Sequence, residues 1–246
     1  MSDTDDTPDA PPAPGARPWR NFHGRRHGKK LRKGQQALLE TRLEDLAPPG
    51  VSWEENPARD PMDLAALFPG KRAVWLEIGF GGGEHMIHQA SGNPDVGIIG
   101  CEPFINGVAM LLSAVEAAGV SNLAIHPGDA RDLLDVLPAG SVQRAFLLYP
   151  DPWPKKRHWK RRFVSQDNLD QLARAMAPGA VLRVATDIED YVRHSLEQVR
   201  RHPEFEWTAG RPADWREPWE DWPGTRYEGK ALREGRRPHY LTFRRR

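Results

Sequence analysis

The 246-residue chain contains one cysteine, Cys101. An intrachain disulfide is therefore excluded, and a disulfide-stapled scaffold with it. No stretch approaches the roughly 18 consecutive apolar residues that a membrane helix requires, so no membrane span is expected. The opening residues, Met-Ser-Asp-Thr-Asp-Asp, hold no apolar segment, so no secretory signal is read and a cytoplasmic protein is expected. Acidic residues are absent between Arg17 and Lys33, where eight Lys and Arg stand. The net charge of +1 conceals two further basic blocks. Six of the eight residues from Lys155 to Arg162 are cationic, and the last 21 residues hold eight cations against two acids. Cations gathered in blocks, two with aromatic neighbours, point to a polyanionic partner held at defined places.

The chain has three parts. Residues 1–16 are Asp-, Pro- and Ala-rich and are expected to be disordered. Residues 17–70 carry the basic arm, with Trp19 and Phe22 inside it, and an amphipathic helix over 34–46 that the Pro48–Gly50 stretch ends. From residue 71 to 246 strand and helix patterns alternate. Short apolar runs at 73–79, 96–102, 123–126, 143–149 and 180–186 read as buried strands. Helical segments are expected from Glu84, over 105–118, 131–137 and 166–176, and over 188–201, with further strands near Phe205 and at 240–244. This alternation predicts a doubly wound, mostly parallel sheet whose ligands lie beyond the carboxyl ends of the strands.

The first strand runs into Glu77-Ile78-Gly79-Phe80-Gly81-Gly82-Gly83-Glu84. Gly79, Gly81 and Gly83 allow a sharp turn and close approach of a ligand. A dinucleotide fingerprint would need glycine where Glu84 stands, and an acid at a helix entrance opposes a pyrophosphate. The zwitterionic methionine end of S-adenosylmethionine fits better, with Glu77 facing its ammonium group. Glu102, ending the second strand, suits the ribose hydroxyls. Asp129, after the third, suits the adenine amino group. No metal site is read.

The fourth strand leads into Pro150-Asp151-Pro152-Trp153-Pro154 and then the cations from Lys155 to Arg162. The prolines stiffen this loop. Asp151 is placed where sulfonium and substrate meet, Trp153 and Trp159 offer flat faces to a base, and the cations suit phosphates.

Four segments carry a resemblance: Glu-Ile-Gly-Phe-Gly-Gly-Gly at 77–83, Pro-Asp-Pro-Trp-Pro-Lys-Lys-Arg-His-Trp-Lys-Arg-Arg at 150–162, Ala-Thr-Asp at 185–187 and Thr-Arg-Tyr-Glu at 225–228. Over about residues 20–246 the chain resembles the bacterial tRNA (guanine-N7)-methyltransferase family, TrmB. The resemblance implies a class I S-adenosylmethionine-dependent methyltransferase fold, Rossmann-like with seven strands, that methylates guanosine 46 of the tRNA variable loop. It further implies that Glu77, Glu102, Asp129 and Asp151 contact the cofactor and that Asp151 is catalytic. Lys155, Asp187, Thr225, Arg226, Tyr227 and Glu228 match substrate-binding positions, and Arg157, His158, Lys160, Arg161 and Arg162 an RNA-contacting stretch. The family commonly has Thr-Lys-Phe-Glu where this chain has Thr-Arg-Tyr-Glu, and Pro-Phe after Glu102 is another departure.

Three alternatives are weighed beside this reading. Adenine-N6 methyltransferases place Asp/Asn-Pro-Pro-aromatic after the fourth strand, an imperfect match to Pro150–Trp153. A non-catalytic RNA binder would not need the acids at 77, 102, 129 and 151, and Glu84 disfavours a nicotinamide-dependent dehydrogenase. No obligatory protein partner is called for, and both monomer and homodimer remain open. No individual role follows for Trp207, Trp215, Trp219 and Trp222.

Overall fold

The computed structural model describes residues 20–246. The acidic, proline-rich tail read over 1–16 and the first residues of the basic arm lie outside the described residues. The apolar runs of the sequence form a seven-stranded sheet. Its strands are β1 (Ala73–Ile78), β2 (Val96–Cys101), β3 (Leu123–His126), β4 (Val142–Leu148), β5 (Met176–Thr186), β6 (Phe205–Trp207) and β7 (His239–Arg245). The order is β3-β2-β1-β4-β5-β7-β6. Strands β1 to β5 run parallel, and β7 is inserted antiparallel between β5 and β6.

Every residue of β1 and of β2 is buried, because helices cover both faces, as parallel sheets require. Alternation along each strand sends side chains to opposite faces. Val74, Leu76 and Ile78 join Leu147, Val184 and Leu241 in one core. That core is closed by α6 (Ala130–Val136), α7 (Gln166–Ala175) and α8 (Glu189–Arg201). Ala73 and Trp75 join Ile98, Ile125, Phe146 and Tyr240 in the other, under α4 (Glu84–Gly92) and α5 (Ile105–Ala118). Helix α5 stops where expected, at Gly119, whose φ of 65° is the left-handed conformation that closes helices.

The structure departs from the sequence reading in several places. The helix expected over 34–46 is two, α1 (Lys33–Thr41) and α2 (Leu43–Leu46), and Leu38, Leu39, Leu43 and Leu46 pack against the α4/α5 core. Helix α7 ends at Ala175 rather than 176, and β5 begins at Met176. Pro178 and Gly179 sit within that strand, in an irregularity where Met176 pairs with Val142 but Val181 with Arg144. A proline cannot donate to the ladder, so a bulge is where a strand tolerates one. Three short helices lie outside the sequence reading: α3 (Leu64–Leu67), α9 (Ala213–Arg216) and α10 (Arg226–Arg233). Among the described residues no helix is long and apolar enough to cross a membrane.

The late tryptophans fix the C-terminal segment to the sheet. Trp215 stacks on His239 at 5.5 Å and 11°. Trp219 and Trp222 meet Tyr240 edge-on, and Trp219 Nε1 donates to Thr242 Oγ1 at 2.9 Å. Between them, Asp221 accepts from Arg144 at 3.0 Å and Arg183 at 2.6 Å. Trp207, on the edge strand, stays exposed.

Candidate active site

In a doubly wound sheet the strand order reverses at one point, and the crevice there receives ligands. Here the reversal lies between β1 and β4. A cavity of about 1260 Å³ opens beyond their carboxyl ends. It is lined by Gly79 and Gly81 after β1, Glu102 after β2, Asp129 after β3, and Tyr149, Asp151 and Trp153 after β4.

The glycine turn is shaped by its neighbours. Gly79, Gly81 and Gly83 have φ of 71°, 57° and 82°, in the left-handed region that glycine adopts without strain. Gly107, on α5, approaches so closely that a Cβ on it would lie 2.2 Å from the Gly81 carbonyl oxygen. Glu102 accepts from the Gly81 amide at 2.8 Å and the Phe104 amide at 2.9 Å, one through each oxygen. Burial pushes its carboxyl above the ordinary range, and the two amides offset part of that. Each oxygen keeps a lone pair to accept from a hydroxyl.

Asp129 caps α6 by accepting from the Arg131 amide at 2.9 Å, and it also takes the Arg131 guanidinium at 2.6 Å. Burial would raise its carboxyl, but the Arg131 hydrogen bonds outweigh burial and hold it below its usual value. Cys101 lines the same cavity with its thiol buried, and burial pushes that thiol far up.

Glu77 takes a different place. It faces His85 beneath the glycine turn, His85 Nδ1 lying 2.6 Å from Glu77 Oε2, and both side chains are 2% exposed. Gln89 Nε2 lies 3.2 Å from His85 Nε2, which suits a ring proton on Nδ1 and a lone pair on Nε2. Glu77 lines a small side pocket with Gly79, Glu84, Thr225 and Tyr227, next to the main cavity. The sequence does not announce His85. Its position as the second residue of α4, directly behind the glycines, is the one signal of its role.

The segment Thr225–Glu228 starts α10, and Thr225 Oγ1 accepts from the Glu228 amide at 3.1 Å. Arg226 pairs with Glu84. Tyr227 bends over Gly81 and faces the main cavity. Glu228 points inward, accepting from Trp222 Nε1 at 2.7 Å and from the Tyr240 hydroxyl. Asp187 pairs with Arg236. The negative charges of Glu228 and Asp187 both bear on the Tyr149 hydroxyl, which burial already pushes up. The rim of the cavity carries His23, Arg25, Arg157, His158, Lys160 and Arg161. Lys155 lies outside the lining, exposed, at the position just before the 3₁₀-helix Lys156–Arg161.

A family model described as "Putative methyltransferase" matches residues 71–241. A tRNA (guanine-N(7)-)-methyltransferase of Roseobacter denitrificans is 66% identical over 228 residues, covering 93% of this chain and 97% of the relative. The enzyme of the same name from Cereibacter sphaeroides is 61% identical over 245 residues, covering 100% of this chain and 99% of the relative. The chain belongs to the tRNA (guanine-N(7)-)-methyltransferase family. S-adenosylmethionine is that family's cofactor. Among solved structures, the 16S rRNA methyltransferase KamB has the same fold with a TM-score of 0.53 at 20% identity, covering 74% of this chain and 92% of that one.

Two residues that the sequence assigns to RNA in this family member are otherwise engaged. Arg162 closes the basic stretch but is buried, its side chain 0% exposed and paired with Asp190. The residue lines the cavity, but its guanidinium turns to the Pro152 and Trp153 carbonyls and the Asp190 carboxylate. The Trp159 ring carries the Arg162 guanidinium on its face, 4.8 Å from the centroid, so that face is closed to a base. Trp153 is shared differently, with Arg161 at 5.0 Å and His23 and His158 meeting it edge-on.

Proposed function

We propose that this chain methylates N7 of guanosine 46 in the tRNA variable loop. One observation carries the reading: a single cavity joins the Glu102 and Asp129 carboxylates to Asp151 and to a border of cations. The glycine turns and the carboxylates on successive strands fit S-adenosylmethionine, with Glu102 accepting from the ribose hydroxyls and Asp129 from the adenine amino group. Glu77, below the turn, supports the ammonium end through the Gly79 side of the pocket. When bound, the cofactor would supply an electrophilic methyl on its sulfonium; direct in-line displacement by guanine N7 would form the N7–carbon bond as the carbon–sulfur bond breaks, leaving S-adenosylhomocysteine.

Guanine N7 offers an in-plane lone pair with no proton to remove, so no general base is required. The rate then comes from positioning and electrostatics. Asp151 orients the guanine by accepting from N1–H and the exocyclic amine, and its charge offsets the positive charge that the base acquires. Lys155, Asp187 and the Thr225–Glu228 segment serve the substrate, while Arg157, His158, Lys160 and Arg161 hold phosphates.

The test is methyl transfer from labelled S-adenosylmethionine to unmodified tRNA transcripts with and without guanosine 46, followed by nucleoside analysis. 7-Methylguanosine formed only when that guanosine is present is the expected result. Methylation of another atom or another position overturns the reading.

A further inference from the structure

Asp151 lies on a loop whose backbone is strained. Tyr149 and Trp153, two residues either side of it, have φ of 51° and 41°, left-handed values that strain a non-glycine residue and persist only where the surroundings enforce them. One side chain reaches this loop from behind. Arg162 Nε donates to the Pro152 carbonyl at 2.9 Å and Nη2 to the Trp153 carbonyl at 3.4 Å. The same guanidinium pairs with the Asp190 carboxylate and approaches its carbonyl at 3.5 Å. It lies between two rings, 4.8 Å from Trp159 and 5.5 Å from Tyr191. Asp190 sits in the first turn of α8, and Tyr191 is fully buried in the core below.

A buried cation is costly unless fully paired, and this one is paired with the loop on one side and the α8 terminus on the other. We propose that Arg162 is a positioning residue for methyl transfer: it fixes the Pro150–Pro154 hinge to α8 and thereby sets where Asp151 stands in the cavity. Arg161 and Arg162 are adjacent and chemically identical, yet they act on opposite sides of the loop. Arg161 meets the Trp153 ring at the rim, and Arg162 holds the backbone beneath. A guanidinium fork is needed because two carbonyls and a carboxylate lie in different directions, which a lysine ammonium does not span.

The inference rests on the reading of Asp151 given above, so Asp151→Asn is measured alongside. Arg162→Lys keeps the charge and removes the fork. Its kcat on tRNA is expected to fall by roughly 10- to 100-fold, the scale of a misplacement near 1 Å. KM for tRNA and the affinity for S-adenosylhomocysteine should stay within about threefold, because Arg162, although it lines the cavity, has its side chain 0% exposed and turned to Pro152, Trp153 and Asp190. Asp190→Asn should lower kcat in the same direction, and the double variant should fall no further than Arg162→Lys alone, since both cut one linkage. A folded Arg162→Lys enzyme with wild-type kcat overturns the proposal. So does one whose defect lies in KM for tRNA, which would make Arg162 an RNA-binding residue. Should Arg162→Lys fail to fold by circular dichroism, Asp190→Asn decides: reduced kcat at unchanged KM supports the brace, and wild-type kcat refutes it. If Asp151→Asn keeps full activity while Arg162→Lys does not, the reading of Asp151 fails and the brace acts on another group of the loop.

Discussion

The approach of α5 to the glycine turn gives a sharp test of how the cofactor site is held. Gly107→Ala places a methyl 2.2 Å from the Gly81 carbonyl oxygen and 3.1 Å from the Gly81 carbonyl carbon. Ordinary contact begins near 3.4 Å, so α5 and the turn must part by about 1.2 Å at this point, and overpacking of this kind costs about 1–3 kcal/mol. Backbone lies on both sides, so no side chain can swing away. The same substitution improves helix propensity by about 1 kcal/mol, and the net fall in stability is therefore only about 0–2 kcal/mol. The larger effect falls on binding. The Gly81 amide donates to Glu102 at 2.8 Å, and a shift near 1 Å carries that bond beyond its effective range. Glu102 is then no longer held where a ribose hydroxyl would donate to it, and losing that one hydrogen bond to a charged group, worth about 1.5–3 kcal/mol, should weaken the affinity for S-adenosylhomocysteine, measured by calorimetry, by roughly 10- to 150-fold. Gly92→Ala is the control: no atom lies within 4 Å of its added Cβ. An affinity within twofold of wild type for Gly107→Ala would refute this account of the turn.

Asp151→Asn is expected to lower kcat and leave the shape of the pH–rate profile intact; disappearance of a basic limb would instead reveal a proton acceptor. Cofactor affinity should weaken as pH falls, beginning above the ordinary glutamate range, because the raised Glu102 carboxyl protonates early and then no longer accepts from both amides and a hydroxyl. Calorimetry across pH 4.5–8 checks the sign, and a profile unchanged in Glu102→Gln would assign the effect elsewhere. Removing residues 1–33 should weaken tRNA binding and flatten the log–log salt dependence by roughly one unit for each phosphate that the arm neutralises; an unchanged slope would exclude the arm from the interface.

The central strands are legible in the sequence because a parallel sheet covered on both faces leaves short, mainly apolar runs, and β2 and, but for Glu77, β1 are such runs. The acids after β2 and β3 and the proline hinge after β4 can be placed for the same reason, since each follows a strand that the periodicity marks. Direction of side chains is what the sequence withholds. Nothing in Lys-Arg-Arg at 160–162 separates the buried Arg162 from its neighbours, because its burial depends on Tyr191 and Asp190 from another element. The sequence aims Glu77 at the cofactor, yet its nearest partner is His85 from α4. Helix α10 does leave a mark: Thr225-x-x-Glu228 is a helix-start pattern, although the same residues also match substrate-binding positions of the family. The tryptophans need Tyr240 and His239, which only the antiparallel return of β7 brings to them.

Cys101 has a practical consequence. It is the one thiol in the chain, and it is buried with its ionisation strongly suppressed. Alkylating dyes attack thiolates, so the native protein offers them almost nothing. A cysteine introduced on the basic arm or on the exposed end of α10 would take a fluorophore at that position alone, with no background labelling to remove and no native residue to sacrifice. The surroundings of that position during tRNA capture could then be followed as a fluorescence change in an otherwise unaltered enzyme.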